Sequence, residues 1–207
     1  NLKDVNLSLL DTSNVEDMSY MFHSCGAIKY LDFTNFDTSK VTNMANMFQD
    51  CLSLTRISIN DIDTSQVQDM SYIFDGCFSL EEIDVSKWDT SNLKNMAYMF
   101  RYCSWFTNIN LNNFKTENVE STAGLFSSCS GLTEIDISNW DFISATKLNN
   151  MFHNCSSLKT IIFKENINTS KVEDISFMLA NCCNLEKDLT ALCNWNTKNV
   201  LYMNNNL

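Results

Sequence analysis

A 26-residue repeat is the feature of this sequence that most constrains its fold. A phenylalanine returns at constant spacing, and a cysteine follows three residues after it. The phenylalanines are Phe22, Phe48, Phe74, Phe100, Phe126 and Phe152, and the cysteines are Cys25, Cys51, Cys77, Cys103, Cys129 and Cys155, with Cys182 one residue late. A fixed period of this length is typical of solenoids, in which each unit packs only on its neighbours.

Each unit combines two apolar periodicities. Pairs such as Ile57 and Ile59 are spaced by two, which predicts a short strand with one buried face. From Val15 to Cys25 the apolar residues have the spacing of one helix face, so this part predicts a helix. An Asp-Thr-Ser sequence precedes several of these stripes, as at Asp37, and is typical of a helix N-cap.

The two periodicities together predict an α/β solenoid, a horseshoe of about seven 26-residue strand-helix units. Helices need about 8–10 Å between their axes and strands only about 4.8 Å, so we expect a parallel sheet on the concave face and helices on the convex face. We expect one domain over residues 1–207, with an irregular terminal unit over 183–207. Because the first unit is incomplete and has no polar cap, we expect a fragment of a longer surface protein.

The stretch from Trp88 to Cys103, WDTSNLKNMAYMFRYC, resembles the repeat of the BspA-like leucine-rich-repeat surface proteins, in the branch common among bacterial surface lipoproteins. The resemblance extends over essentially the whole chain. It implies a leucine-rich-repeat-like solenoid that is anchored outside the cell and used for adhesion or host contact. Two units depart from the pattern, since Gly124 enters one helical stripe and Phe142 replaces the threonine of Asp-Thr-Ser in another.

The net charge of −11 at pH 7 restricts the partners. Nucleic acids and anionic membrane surfaces are recognised by clustered Lys and Arg, so we expect neither as a partner. No apolar run approaches the roughly 20 residues that span a bilayer, so we expect no membrane insertion by this segment. A protein or host-surface ligand is the predicted partner, although the charge is also explained by solubility alone.

The nine cysteines and two histidines do not form a catalytic or metal-binding pattern. No Cys-x-x-Cys pair accompanies the cysteine column, so we interpret it as buried free thiols. Cys182, Cys183 and Cys193 are less regular, and a disulfide among them stays open beside free thiols. No phosphate-binding, dinucleotide or zinc-protease motif is present. We therefore predict no enzymatic activity, cofactor or metal.

The outward strand positions form the predicted binding surface, because they alternate with buried positions and vary from unit to unit. These residues are Tyr30, Asp32, Thr34, Arg56, Ser58, Asn60, Glu82, Asp84, Ser86, Asn108, Asn110, Asn112, Glu134, Asp136 and Ser138. A solvated sheet face is the alternative interpretation. Trp105, with Tyr102 and Phe106 nearby, interrupts a column of small residues and is a second candidate for contact, with local repacking as its alternative.

We therefore predict an extracellular or cell-surface module for adhesion or protein interaction, with its anchor outside this segment. The first alternative is a structural spacer or coat element without a specific ligand. A second is an intracellular binding module, because abundant unpaired cysteines are compatible with that compartment. The uncapped first unit also allows end-to-end self-association.

Overall fold

Four short strands pair in two separate parallel sheets. The computed structural model describes residues 3, 5–186 and 190–205. The strands are β1 (Tyr30–Asp32), β2 (Arg56–Ser58), β3 (Glu134–Ile137) and β4 (Thr160–Phe163). β1 pairs with β2 and β3 pairs with β4, each one repeat length apart. The predicted parallel pairing is confirmed, but a continuous sheet is wrong, because the equivalent segments 82–86 and 108–112 are not strands.

The predicted helices are wrong for the described residues. These residues contain no α-helix, and their one helical element is the 3-10 helix Thr190–Asn194. The apolar stripe instead forms consecutive turns. The Met21 N–H donates to the Met18 carbonyl (3.3 Å), whereas the Phe22 N–H donates across to the Met47 carbonyl of the next unit (2.9 Å). Alternate amides thus bond within a turn and between units, which leaves none for the i to i−4 bonds of a helix.

A second parallel ladder runs through these turn segments. Seven bridges join Asp17 to Asn43, Asn43 to Asp69, Asp69 to Asn95, Asn95 to Ser121, Ser121 to Lys147, Lys147 to Asp174 and Asp174 to Tyr202. Neighbouring units are therefore joined here at strand spacing, about 4.8 Å, rather than at the wider spacing of packed helices. Because the predicted curvature depended on that difference in spacing, the concave position of the strands loses its physical basis.

The turn segments place residues in the left-handed region of backbone conformation. In the second unit these are Asn46 (φ 60°) and Asp50 (φ 59°), four residues apart, and the same pair of positions returns in the other units. Asn, Asp and Gly fill eight of the fifteen such positions, and these residues tolerate left-handed backbone best. Gly124 is one of them (φ 59°), and any side chain there would overlap the ring of Tyr98.

The Asp-Thr-Ser sequences form turns and do not cap helices. Asp37 Oδ1 accepts the N–H of Ser39 (3.0 Å), and the Thr38 carbonyl accepts the N–H of Val41 (2.9 Å). This is an Asx turn, which uses the same side-chain chemistry as an N-cap without a helix after it. The sequence signal was therefore real, but it marks the start of a turn segment.

The buried threonine of each Asp-Thr-Ser sequence joins its unit to the next one. Thr64 Oγ1 accepts the N–H of Asp89 (2.8 Å) and donates to the Asp89 carbonyl (3.0 Å). Equivalent pairs of bonds join Thr90 to Lys115, Thr116 to Asp141 and Thr169 to Asn196. Phe142 lacks a hydroxyl, and there the Asp141 carboxylate instead accepts the Asn168 N–H (3.0 Å). Different chemistry thus maintains the same connection.

The core lies between the two ladders and repeats in register. The phenylalanine rings of successive units stack nearly parallel, from Phe22 through Phe48, Phe74, Phe100 and Phe126 to Phe152, with centroids 5.4–6.0 Å apart. The methionine and leucine columns are buried beside them, although Met21 in the first unit and Met203 in the last are exposed. The prediction that the Met and Phe columns form the core is confirmed for the units between them.

Removal of one threonine hydroxyl should weaken the solenoid measurably. Thr64→Val leaves the part-buried N–H and carbonyl of Asp89 without their partner, so we expect the free energy of unfolding to fall by about 1–3 kcal/mol. Urea denaturation followed by tryptophan fluorescence measures this. Thr64→Ser keeps the hydroxyl and should retain most of the stability. Equal stability of Thr64→Val and the parent protein would contradict the bridging role.

Candidate functional site

The fifteen predicted binding residues lie on one surface. We define the strand face as the outward side chains of segments 30–34, 56–60, 82–86, 108–112 and 134–138. Twelve of the fifteen are exposed, and Ser58, Asn60 and Asp136 are half-buried. The inward residues between them, such as Leu31 and Ile135, are buried. The structure thus places the set in the expected orientation, and its role in binding stays a prediction.

The acidic column of the strand face also holds the backbone. Asp32, Asp84 and Asp136 each accept the N–H two residues further on, at 2.9, 3.0 and 2.9 Å. The hydroxyl and N–H of Ser86 keep the pKa of Asp84 below its usual value, and Thr34 does the same for Asp32 through its N–H and hydroxyl. These carboxylates therefore end the strand segments, a role that sequence analysis missed.

A cleft of about 500 Å³ opens beside β2. Its lining residues are Tyr30, Arg56, Ile57, Ser58, Glu82, Ile83 and Asp84. The Tyr30 hydroxyl lies 3.0 Å from Ser58 Oγ, and the Arg56 guanidinium lies 6.0 Å from the centre of the Tyr30 ring. The cleft therefore combines the guanidinium of Arg56, the carboxylates of Glu82 and Asp84, and the apolar side chains of Ile57 and Ile83.

Two further clefts follow along the strand face. One, of about 220 Å³, lies between residues 81–83 and 105–110. The other, of about 230 Å³, is bounded by Asn108, Ile109, Asn110, Asn112, Glu134 and Asp136. The three clefts bring together ten of the fifteen predicted residues. The other five, Asp32, Thr34, Asn60, Ser86 and Ser138, lie on the same face but do not line these clefts.

An exposed aromatic patch lies at the edge of the second cleft. Trp105 is 65% exposed and Tyr102 is 40% exposed, but Phe106 is buried and does not belong to this surface. Sequence analysis missed Phe78, which is 43% exposed and lies 5.7 Å from Tyr102 between ring centroids, and Leu52, which is 46% exposed. The signal was the column that begins with Gly26, in which Leu52 and Phe78 replace small residues.

A charged cluster on the turn segments was also missed. The Arg101 guanidinium binds the Asp75 carboxylate through two bonds, of 2.8 and 2.7 Å, and Asp75 is only 2% exposed. The rings of Tyr72, Tyr98 and Tyr102 surround the guanidinium, with centroids 4.8–5.5 Å away. The cluster ties two successive units together, and bidentate geometry of this kind favours a structural ion pair.

The cysteine column consists of free thiols, as predicted. All nine cysteines are free, and those from Cys51 to Cys155 are buried. Each of these five buried thiols donates to a phenylalanine carbonyl of the preceding unit, as from Cys51 to Phe22 (3.2 Å) and from Cys129 to Phe100 (2.9 Å). The thiol therefore adds a weak bond between units. Burial raises the pKa of Cys51 to about 12.

The remaining titratable groups do not form a further site within the described part of the chain. There, no group of three or more His, Cys, Asp or Glu side chains is placed to hold a metal ion. His23 and His153 pack edge-on against Tyr20 and Phe177, with ring centroids 5.5 and 6.1 Å apart. Over the same residues, no helix has the length and apolar character of a membrane span.

This arrangement of stacked strand-and-turn units is a leucine-rich-repeat-like solenoid. It is similar to a leucine-rich-repeat protein from T. pallidum, with a TM-score of 0.56 and 17% identity over 88% of this chain and 77% of that one. It is also similar to one from Eubacterium ventriosum, with a TM-score of 0.54 and 21% identity over 87% of this chain and 43% of that one. At these identities the likeness establishes the fold alone.

The chain belongs to the family described as Mycoplasma protein of unknown function, DUF285. The family model matches residues 1–80, 24–135, 54–164 and 124–207, which together span the whole sequence. No curated protein matches the sequence at a significant level. The leucine-rich-repeat part of the predicted resemblance is thus supported, while the lipoprotein branch stays a prediction.

Thiol reactivity should separate the two classes of cysteine. Cys183 and Cys193 are exposed, so they should react with Ellman's reagent at pH 8 as ordinary thiols do. The buried column should react orders of magnitude more slowly, because its high pKa values and burial require the chain to open first. The control variant replaces the exposed Cys183 and Cys193 and the half-buried Cys25 and Cys182 with serine, and it should lose the fast phase. Fast reaction of the column in that variant would contradict the buried thiol ladder.

Proposed function

We propose that this chain is a protein-interaction module of a cell surface and that the strand face is its binding surface. The observation that carries the proposal is the row of three clefts along one face, lined by side chains that differ between units. Solenoids commonly bind partners through such extended surfaces, because the scaffold stays the same while its outward residues change. The aromatic patch at the edge supplies apolar contact area beside the polar clefts.

The charge of the strand face favours a partner with a basic surface. Glu81, Glu82 and Asp84 lie close together in the chain, and Glu134 and Asp136 lie on β3. These five carboxylates outnumber Arg56, the one cation among the fifteen predicted residues. Opposite charge on a partner would speed its association and select against acidic partners. A location outside the cell is what the resemblance of the repeat to BspA-like surface proteins implies, and we propose no catalytic role.

A charge-reversal pair tests the proposal. Glu82→Lys with Glu134→Lys changes two exposed side chains that line clefts, whereas Asp84 and Asp136 are unsuitable because their carboxylates hold turns. The measurement is binding of the purified chain to an array of extracellular-matrix and host-surface proteins. We expect saturable binding by the parent protein and a loss of about tenfold or more in the pair, equivalent to about 1.4 kcal/mol.

A matched control distinguishes the strand face from overall charge. Glu120→Lys with Glu173→Lys makes the same change in net charge beside the second ladder, on exposed residues. This control should bind as the parent protein does. Equal losses in both pairs would attribute binding to net charge and contradict a role for the strand face. No saturable binding by the parent protein would favour the spacer function.

A further inference from the structure

The strand face lacks backbone pairing in its middle part. Between β2 and β3 lie two segments, 82–86 and 108–112, that form no strand with either neighbour. In this part of the described chain, the backbone bonds between adjacent strand-face segments are Glu81 N–H to the Thr55 carbonyl (3.3 Å) and Thr133 N–H to the Thr107 carbonyl (2.9 Å). Both lie at the entrance to the segments. Beyond them, side chains rather than backbone amides join successive units in this part of the described chain, as from Asn113 Nδ2 to the Val85 carbonyl (2.9 Å) and from Trp88 Nε1 to the Ile59 carbonyl (3.1 Å).

The second ladder explains why the units stay stacked although the strand face is open. Its bridges continue without interruption from Asn43 through Asp69, Asn95 and Ser121 to Lys147, behind the same units. The solenoid therefore does not need strand pairing here in order to hold its register. The three clefts occupy the three gaps between segments 56–60 and 134–138 where pairing is missing.

The open gaps expose the groups that extended chains recognise. Strand edges without a neighbour present backbone N–H and C=O groups that pair readily with another extended chain. Ile83 and Ile109, which are half-buried, form an apolar floor between these edges. Peptides that bind by strand addition gain affinity from backbone bonds and specificity from contacts with alternate side chains.

The negative charge of the clefts favours a basic partner segment. Glu82, Asp84, Glu134 and Asp136 line them, against a single cation, Arg56. An extended segment with basic side chains would therefore be complementary to the net negative charge. A second copy of this chain is disfavoured, because it would bring the same carboxylates together and carries a net charge of −11 itself. Three or four extended residues would match the lengths of β1–β4.

We propose that the open part of the strand face, residues 82–86 and 108–112 with the facing edges of β2 and β3, binds an extended basic segment of a partner protein by strand addition. This inference rests on the proposed function and specifies its mode. The partner strand completes the missing ladder through backbone bonds. Its alternate lysine or arginine side chains reach the carboxylates that line the clefts.

A set of three labelled peptides tests strand addition. The first is a fluorescein-labelled peptide of about eight residues in which lysine alternates with valine, long enough for one strand. The second is its twin with alternate amides N-methylated, which keeps the charge but removes backbone donors. The third replaces each lysine with glutamate. Fluorescence anisotropy measures binding to the parent chain, to Glu82→Lys with Glu134→Lys, and to the control pair Glu120→Lys with Glu173→Lys.

We expect the lysine peptide to bind the parent chain and the control pair. On the parent chain, the N-methylated twin and the glutamate peptide should each bind about tenfold or more weakly than the lysine peptide. The lysine peptide should lose about as much affinity on the Glu82→Lys, Glu134→Lys variant, called the strand-face pair. Each change removes backbone bonds or charge complementarity. Hydrogen exchange of the parent chain should slow at the amides of 82–86 or 108–112 when the lysine peptide is bound. The glutamate control also shows whether association depends on charge sign.

Four results would overturn the inference. Equal binding by the N-methylated twin would show charge attraction without strand addition. Dimerisation of the parent chain that the strand-face pair abolishes would assign the open edges to a second copy. Absence of peptide binding, when an arrayed protein still binds and is lost in the strand-face pair, would leave the proposed function standing and remove only strand addition. Absence of both would remove the two proposals together.

Discussion

The rest of the structure depends on the hydrogen bonds that every second amide of a turn segment makes to the following unit. In the second unit, Phe48 N–H donates to the Ile73 carbonyl (2.9 Å), while Met47 N–H closes a turn onto Met44 (3.3 Å). These bonds fix the spacing of units, and that spacing brings successive phenylalanine rings, thiols and threonine hydroxyls into register. Each column then adds its own contact between units, so stability is distributed over nearest neighbours.

Much of this could be predicted from the sequence, because the period alone determines which residues stack. The buried columns, the parallel strands and the outward positions followed from it. The helices did not, because a chain of four-residue turns and a helix both bury residues three or four apart. The distinguishing signal was a pair of Asn, Asp or Gly residues four apart in some units, as at Asn46 and Asp50, where left-handed backbone is needed. The gaps in the strand face had no sequence signal that we can identify.

The continuous ladder of the turn segments and the interrupted ladder of the strand face have complementary roles. Because the turn segments already hold the units in register, the strand face is free to open without loss of the fold. The acidic residues there divide into those that hold turns, such as Asp84, and those that are free to meet a partner, such as Glu82. A binding surface on a repeat scaffold needs this separation of structural from variable positions.

The turn ladder is tested most directly by finding which carbonyl accepts the hydrogen bond of one amide, the Phe48 N–H. Scalar coupling across hydrogen bonds, measured by NMR on labelled protein, identifies the carbonyl that accepts the Phe48 N–H. We expect coupling between the Phe48 amide nitrogen and the carbonyl carbon of Ile73 in the next unit. Coupling to the carbonyl of Met44, four residues earlier, would show a helix and contradict the turn ladder on which the remaining structure is built.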